Sequence, residues 1–239
     1  MWGAETQDHV ARHGRGLAPA VVPTRDGELA VNLGSCRLSV SEWVDGRQLG
    51  EAPEGWSAAG RALGRLHRIT RSDHEFGIPV DAAVDEIRAQ VSRLPFAGRA
   101  VDLVRRIQDM PLIPVSTIHG EPAASNLLHV GPDSAVLLDW DESGYGPVVL
   151  DLGFPLINEF LSHDLRFNGA AARAFYGAYR REAGFLPTSA GGIFTAALFH
   201  ALRSMMFHDL EARWRRIVHA VDHEQELINA TLTPTNDSA

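Results

Sequence analysis

Three oxygen-bearing side chains, Glu121, Asn126 and Asp139, sit at spacings that could serve one reacting centre. Glu121 and Asn126 share a polar loop that follows an apolar stretch over residues 114–118. Residues 127–130 and 135–138 are two short apolar runs with Gly131-Pro132-Asp133 between them, the pattern of a strand, a turn and a returning strand. Asp139 ends the second run, so the hairpin carries it back beside the loop. A carboxylate and an amide oxygen on adjacent segments suit a hard cation such as Mg²⁺, with triphosphate oxygens completing its shell. Glu121 adds a second carboxylate beside them. Asp141 is a further candidate acid. The plainer readings are a solvated Glu121, an Asn126 that caps its own loop, an Asp139 that ends a strand and an Asp141 that faces water.

Other constellations carry less. His219 and His223 have the i, i+4 spacing of zinc ligands, with Glu224 and Glu226 nearby, but no His-Glu-x-x-His order and no third ligand. Cys36 has no assignable histidine partner. No Gly-x-Ser-x-Gly elbow exists, and Gly14-Arg15-Gly16 is too short and too close to a helix to be a phosphate loop. The net charge of −8, with no long basic run, argues against nucleic acid as a partner. A single cysteine excludes an internal disulfide framework. No apolar segment reaches signal or spanning length, so the expectation is a cytoplasmic protein with no membrane contact. All 22 basic residues are arginines, and the abundance of Ala, Gly and Arg suggests a GC-rich bacterial gene.

The elements that must position the central stretch are mostly helical. Residues 2–13 read as a helix with Trp2 and Val10 inward, and residues 28–33 and 37–43 as a hairpin around Gly34-Ser35. A Gly/Pro-rich link over 46–56 leads to a helix from an N-cap at Ser57 to about Thr70, whose apolar face includes Ala59, Leu63 and Leu66 and whose end carries His67 as a packing residue. A loop at 76–79 and two helices, 81–93 and 98–109, separated near Pro95, precede the central strand. After it come a Gly/Pro-rich turn at 144–147 and helices over 148–161, 169–183, 189–208 and 210–231. The tail from Thr233 reads as disordered. At 239 residues the chain can form one sizeable core or two lobes that share a cleft.

The run His119-Gly120-Glu121, then Asn126, then Leu138-Asp139-Trp140, then Gly144 to Pro147, then Asp151-Leu152, resembles the aminoglycoside phosphotransferase and choline kinase family of the protein-kinase-like fold. The resemblance implies an α+β fold: a helical C-terminal lobe over residues 46–232 and a reduced, truncated β-hairpin remnant of an N-terminal lobe over 1–45, with 233–239 a disordered tail. It implies Glu121 as catalytic base with Asp139 in the same site, and Asp141 joins them as the additional candidate acid named above. Asn126 and Asp139 become Mg²⁺ ligands, the backbone at Glu42 and Val44 meets the adenine of ATP, and His119 and Asp151 support the loop. The sequence departs from the family in three respects. The base position holds Glu where the family has Asp, and a misplacement of about 1 Å can cost on the order of 10²-fold. Glu5 stands near the family's helix glutamate, yet there is no lysine to pair with it. The family's glycine-rich phosphate cover would precede residue 1.

Three functions follow as expectations. The first is the lineage of ATP-dependent small-molecule hydroxyl kinases, degenerate or inactive in this chain alone, with ATP and Mg²⁺ as cofactors if activity survives. The second is a repurposed acid–base enzyme acting on a small organic molecule of natural-product type, without a cofactor. The third is a non-catalytic binding protein, with a partner chain or a second copy over the remnant lobe.

Overall fold

The computed structural model of the chain describes residues 3–69, 80–94, 96–186, 189–205 and 209–232. It opens with a helix, α1 (Gly3–His13), and a two-stranded antiparallel ribbon, β1 (Val31–Leu33) and β2 (Cys36–Leu38), turned at Gly34-Ser35. A short strand, β3 (Arg47–Gln48), leads into α2 (Pro53–Leu66). Two helices, α3 (Val80–Val91) and α4 (Ala97–Gln108), precede the central strand β4 (Val115–Ile118). Beyond it lie β5 (Leu127–Gly131), β6 (Ser134–Leu137) and β7 (Gly144–Pro147), then five helices. These are α5 (Val149–Asn158), α6 (Gly169–Ala183), α7 (Ala190–Ser204), α8 (Leu210–Asp222) and α9 (Glu224–Leu232). The fold is α+β, with mainly helical mass and small antiparallel sheets.

Two helix pairs form the core, α2 against α6 and α5 against α7. Their rings interleave: Trp56 meets Phe160 edge-on at 4.7 Å, and Phe160, Phe175, Tyr176 and Tyr179 are fully buried. The α2–α6 approach requires glycine, because a Cβ on Gly60 would stand 2.2 Å from the Phe175 carbonyl oxygen.

Several elements differ from the sequence reading. Helix α2 begins at Pro53 rather than after Ser57, since proline supplies a helical φ and lacks only a donor the first turn would leave unpaired. Ser57 lies inside the helix, where its hydroxyl accepts from Arg61 Nη1 at 3.0 Å. Strands β3 and β7 fall where a link and a turn were expected. Neither shows a period of two, and each exists through its partner, β3 on β5 and β7 on β4. The last helix is two, α8 and α9, with His223 capping α8 through its N–H to the His219 carbonyl at 3.0 Å. The ribbon is shorter than expected, and every residue of β1 and β2 is exposed.

The expectations for Trp2, the loop at 76–79, Pro95, residues 206–208 of the long helix and the tail from Thr233 lie outside the described residues. Among the described residues, no helix is long and apolar enough to cross a membrane.

Candidate active site

Strand β4 pairs with β7 and β5 pairs with β6, so the loop between β4 and β5 is held at both ends by a ladder. Its second half is a 3-10 turn, Ala124–Asn126. Gly120 begins the loop at φ +88°, and a Cβ there would lie 2.1 Å from the Glu142 carbonyl oxygen. Only glycine therefore lets the loop fold against the turn that follows Asp139.

The brace beneath the loop is Asp151, fully buried in the first turn of α5. Its carboxylate accepts the N–H of His119 at 2.8 Å, the N–H of Gly120 at 2.7 Å and Nε2 of His67 at 3.0 Å. Burial pushes the Asp151 carboxyl up, but the hydrogen bond and charge of His67, with the contributions of His119, outweigh it and hold the group below its ordinary value. The Tyr179 hydroxyl, kept protonated by burial, meets His67 Nδ1 at 2.9 Å. His67 is thus a joint linking α2, α5 and α6, not only a packing residue.

His119 is fully buried, and burial lowers its pKa. A carbonyl can only accept, so Nε2 carries the proton given to the Leu138 oxygen at 2.7 Å, while Nδ1 receives the Glu121 N–H at 3.4 Å. One neutral imidazole therefore ties the loop to the residue preceding Asp139.

The loop and the hairpin end bring the three predicted oxygen-bearing residues together. Asn126 donates Nδ2 to the Glu121 carbonyl at 3.2 Å, and its own carbonyl accepts the Leu138 N–H at 2.8 Å. Because Nδ2 is tied, Oδ1 is the atom Asn126 presents, with the Ser125 hydroxyl as a neighbour at 3.2 Å. Asp139 is exposed and stands at φ +56°, a left-handed conformation that aspartate tolerates better than most side chains. Glu121 is half-buried. Desolvation, followed by the negative charges of Glu142 and Asp139, pushes its carboxyl above the ordinary value, and Arg203 opposes the shift. Asp141 is exposed on the same turn.

The donor set fits Mg²⁺ delivered with phosphates. Asn126 Oδ1 and the Asp139 carboxylate are hard oxygen donors, and Mg²⁺ is ordinarily held by one or two protein groups plus phosphate and water. Among the described residues no group of three His, Cys, Asp or Glu side chains is arranged to hold a metal unaided. The Glu42 N–H is taken by the Ala20 carbonyl at 2.9 Å, so Glu42 has its carbonyl, not its N–H, to offer a purine. Val44 is half-buried in the extended segment that follows. His219 and His223 stack at 4.0 Å, with His223 Nδ1 directed to the His219 carbonyl.

Sequence reasoning missed three residues around the loop. Glu159 lies just past α5, half-buried. Desolvation raises its pKa, against the opposing influence of the Ala124 backbone N–H, Arg216 and Arg213. Arg216 on α8 reaches the carbonyls of Ile157 (2.6 Å), Asn158 (3.1 Å) and Leu161 (2.6 Å) and so caps α5. Arg203 on α7 pairs with Glu142 at 2.8 Å. These contacts join residues some sixty positions apart, and no local spacing announces them. A hollow of about 550 Å³, lined in part by Trp56, Ala124, Glu159, Phe160 and Phe167, lies beside the 3-10 turn.

The comparisons with known proteins agree with this architecture. The model of the family described as "Phosphotransferase enzyme family" matches residues 4–187. Solved structures of similar fold include an aminoglycoside phosphotransferase from Alicyclobacillus acidocaldarius, with TM-score 0.61 and 15% identity over 96% of this chain and 80% of that one. A choline/ethanolamine kinase family protein from Mesorhizobium loti gives 0.60 and 15% over 97% and 83%. An amicoumacin kinase in complex with AMP-PNP, Ca²⁺ and Ami gives 0.62 and 16% over 96% and 75%. No curated protein matches in sequence.

Proposed function

The chain belongs to the phosphotransferase enzyme family, and from that premise we propose that it binds a Mg²⁺–nucleotide, holding the metal and phosphates at Asn126 and Asp139, with Glu121 as an impaired base toward a small-molecule hydroxyl. On this reading it is a cytoplasmic, bacterial protein of the ATP-dependent small-molecule kinase lineage whose transfer activity alone is slow. The observation that carries the reading is the tethering of Asn126 to the Glu121 carbonyl, with Asp139 near enough to raise the Glu121 pKa. Two spectinomycin phosphotransferase and amicoumacin kinase structures of similar fold hold ADP and AMP-PNP, which supports a nucleotide as the ligand here.

Bound Mg²⁺ would supply charge neutralisation on the phosphate oxygens. The chain's own residues do the rest. Asp151 fixes the His119–Gly120 peptides, so the loop presents Glu121 and Asn126 without reorganising. The Glu121 carboxylate accepts the hydroxyl proton. Its raised pKa favours holding that proton, but the longer side chain misplaces the carboxylate relative to aspartate. The hollow beside the loop has the size of a small-molecule site. None of the 239 residues is a lysine, so among them no lysine places a point charge on the phosphates.

The test is ADP release from Mg·ATP with water as acceptor, measured on wild type, Glu121→Asp and Glu121→Gln. Glu121→Asp should raise the rate by about 10²-fold and Glu121→Gln should abolish it. A Gln variant as fast as wild type, or an Asp variant no faster, defeats the assignment of the base.

A second reading, a binding scaffold covered by a partner chain or second copy, is favoured by the apolar exposure of the N-terminal ribbon and the segment after it. Leu33 is 59%, Leu38 50% and Trp43 88% exposed. A strictly monomeric mass across concentration, with no change on Leu33→Ser, counts against the second copy.

A further inference from the structure

The loop bearing Glu121 faces a concentration of carboxylates: Glu121 itself, Asp139, Asp141 and Glu142. A polyphosphate drawn against this wall is repelled unless a cation beyond the metal stands there. None of the 239 residues is a lysine that could supply it. Nearby arginines are engaged: Arg216 with three carbonyls of the α5 terminus, and Arg213 with the Ser204 hydroxyl at 2.7 Å.

Arg203 is placed differently. It lies in the last turn of α7, and its Nη2 reaches Glu142 Oε2 at 2.8 Å. The pair is 43% and 44% exposed, so water competes with it and the bridge is weak. Glu142 is fixed close to the catalytic-type loop, because its carbonyl occupies the space a side chain at Gly120 would need. Arg203 is therefore held beside the Glu121 loop by one exchangeable carboxylate, and its positive charge is felt at Glu121. A guanidinium can exchange that contact for two parallel hydrogen bonds to phosphate oxygens, a geometry for which its planar fork is suited.

We propose that Arg203 is the cation that meets the terminal phosphate of the bound nucleotide, leaving Glu142 as the phosphate arrives. The proposal rests on the nucleotide-binding reading above. It assigns to α7 a charge for the terminal phosphate, a place different from the α/β-phosphates that the strand lysine of protein kinases pairs.

Calorimetry of the full chain with Mg·ATP and with Mg·ADP tests it, on wild type, Arg203→Ala, Glu142→Gln and a control, Arg99→Ala, which breaks the distant Arg99–Asp222 surface pair. Arg203→Ala should weaken ATP about tenfold or more and leave ADP within about twofold. Glu142→Gln, which frees Arg203, should tighten ATP, and Arg99→Ala should change neither. If Arg203 merely braces the turn, Arg203→Ala and Glu142→Gln break the same bridge and shift ATP affinity and thermal midpoint in the same direction; that result overturns the proposal. An unchanged ATP-to-ADP ratio in Arg203→Ala overturns it while the nucleotide reading stands. Wild-type protein that binds neither nucleotide removes both.

Discussion

Changing aspartate to asparagine at two positions, 151 and 139, should give opposite results. Asp151 is fully buried and accepts three hydrogen bonds at 2.7–3.0 Å from the His119 and Gly120 N–H groups and His67. Asparagine keeps one acceptor oxygen and turns an NH₂ group toward at least one of those donors. A buried donor left without an acceptor costs about 1–3 kcal/mol, and each bond to a charged group contributes about 1.5–3 kcal/mol. The expected loss for Asp151→Asn is about 3–5 kcal/mol, the range for removing one partner of a buried ion pair. In a chain of this length that lowers the thermal midpoint by about 6–20 °C. Asp139 is exposed at φ +56°, a conformation asparagine also tolerates, so Asp139→Asn should stay within about 0.5 kcal/mol of wild type. It should nevertheless lose Mg·ATP binding. Thermal and urea unfolding of both variants, with calorimetry on the folded one, provide the assay. The reasoning fails if Asp151→Asn melts within about 2 °C of wild type, or if Asp139→Asn falls as far as Asp151→Asn.

Gly120→Ala forces a side chain into a left-handed residue and to within 2.1 Å of the Glu142 oxygen. It should cost about 2–6 kcal/mol in urea unfolding, and an unchanged midpoint refutes the close approach. The Asp151 carboxyl is held below its ordinary value in the folded chain, so its contribution is present above the unfolded aspartate pKa and lost as pH falls through the folded one. The stability gap between wild type and Asp151→Asn should therefore narrow in acid, and a gap independent of pH contradicts this. Glu159 has the opposite sign. Its raised pKa means that its ionisation opposes folding as pH rises through that value, so Glu159→Gln should gain on wild type between acid and neutral pH. Parallel stability profiles for the two proteins would remove that argument.

The central stretch was legible because its signals are local. A polar loop after an apolar run, a Gly-Pro-Asp turn and a carboxylate at a strand end place Glu121, Asn126 and Asp139 together in the sequence alone, and the β5–β6 ladder brings the strand end back beside the loop. His67 was half-legible: the sequence located it at the end of an apolar helix face, but its bonds to Asp151 and Tyr179 span 84 and 112 positions. Strands β3 and β7 left no trace because two residues, or a Gly-Tyr-Gly-Pro run, cannot display alternation. Ser57 misled because a good capping residue is also an acceptable helix residue once its hydroxyl has a partner, here Arg61. Arg203, Arg216 and Glu159 owe their roles to how α5, α7 and α8 pack, and packing has no period.

The central claim is that Asn126 and Asp139 hold a metal–nucleotide beside Glu121. Mn²⁺ in place of Mg²⁺ locates that metal directly, through paramagnetic broadening of proton resonances in the presence of ATP. The account predicts that Mn·ATP broadens the Asn126 side-chain amide and the indole N–H of Trp140, which neighbours Asp139 and bonds the Leu137 carbonyl at 3.0 Å. The indole of Trp214, stacked on Phe96 at the start of α4, should stay sharp. Sharp Asn126 and Trp140 signals at saturating Mn·ATP, or broadening centred instead on His219 and His223, would contradict it.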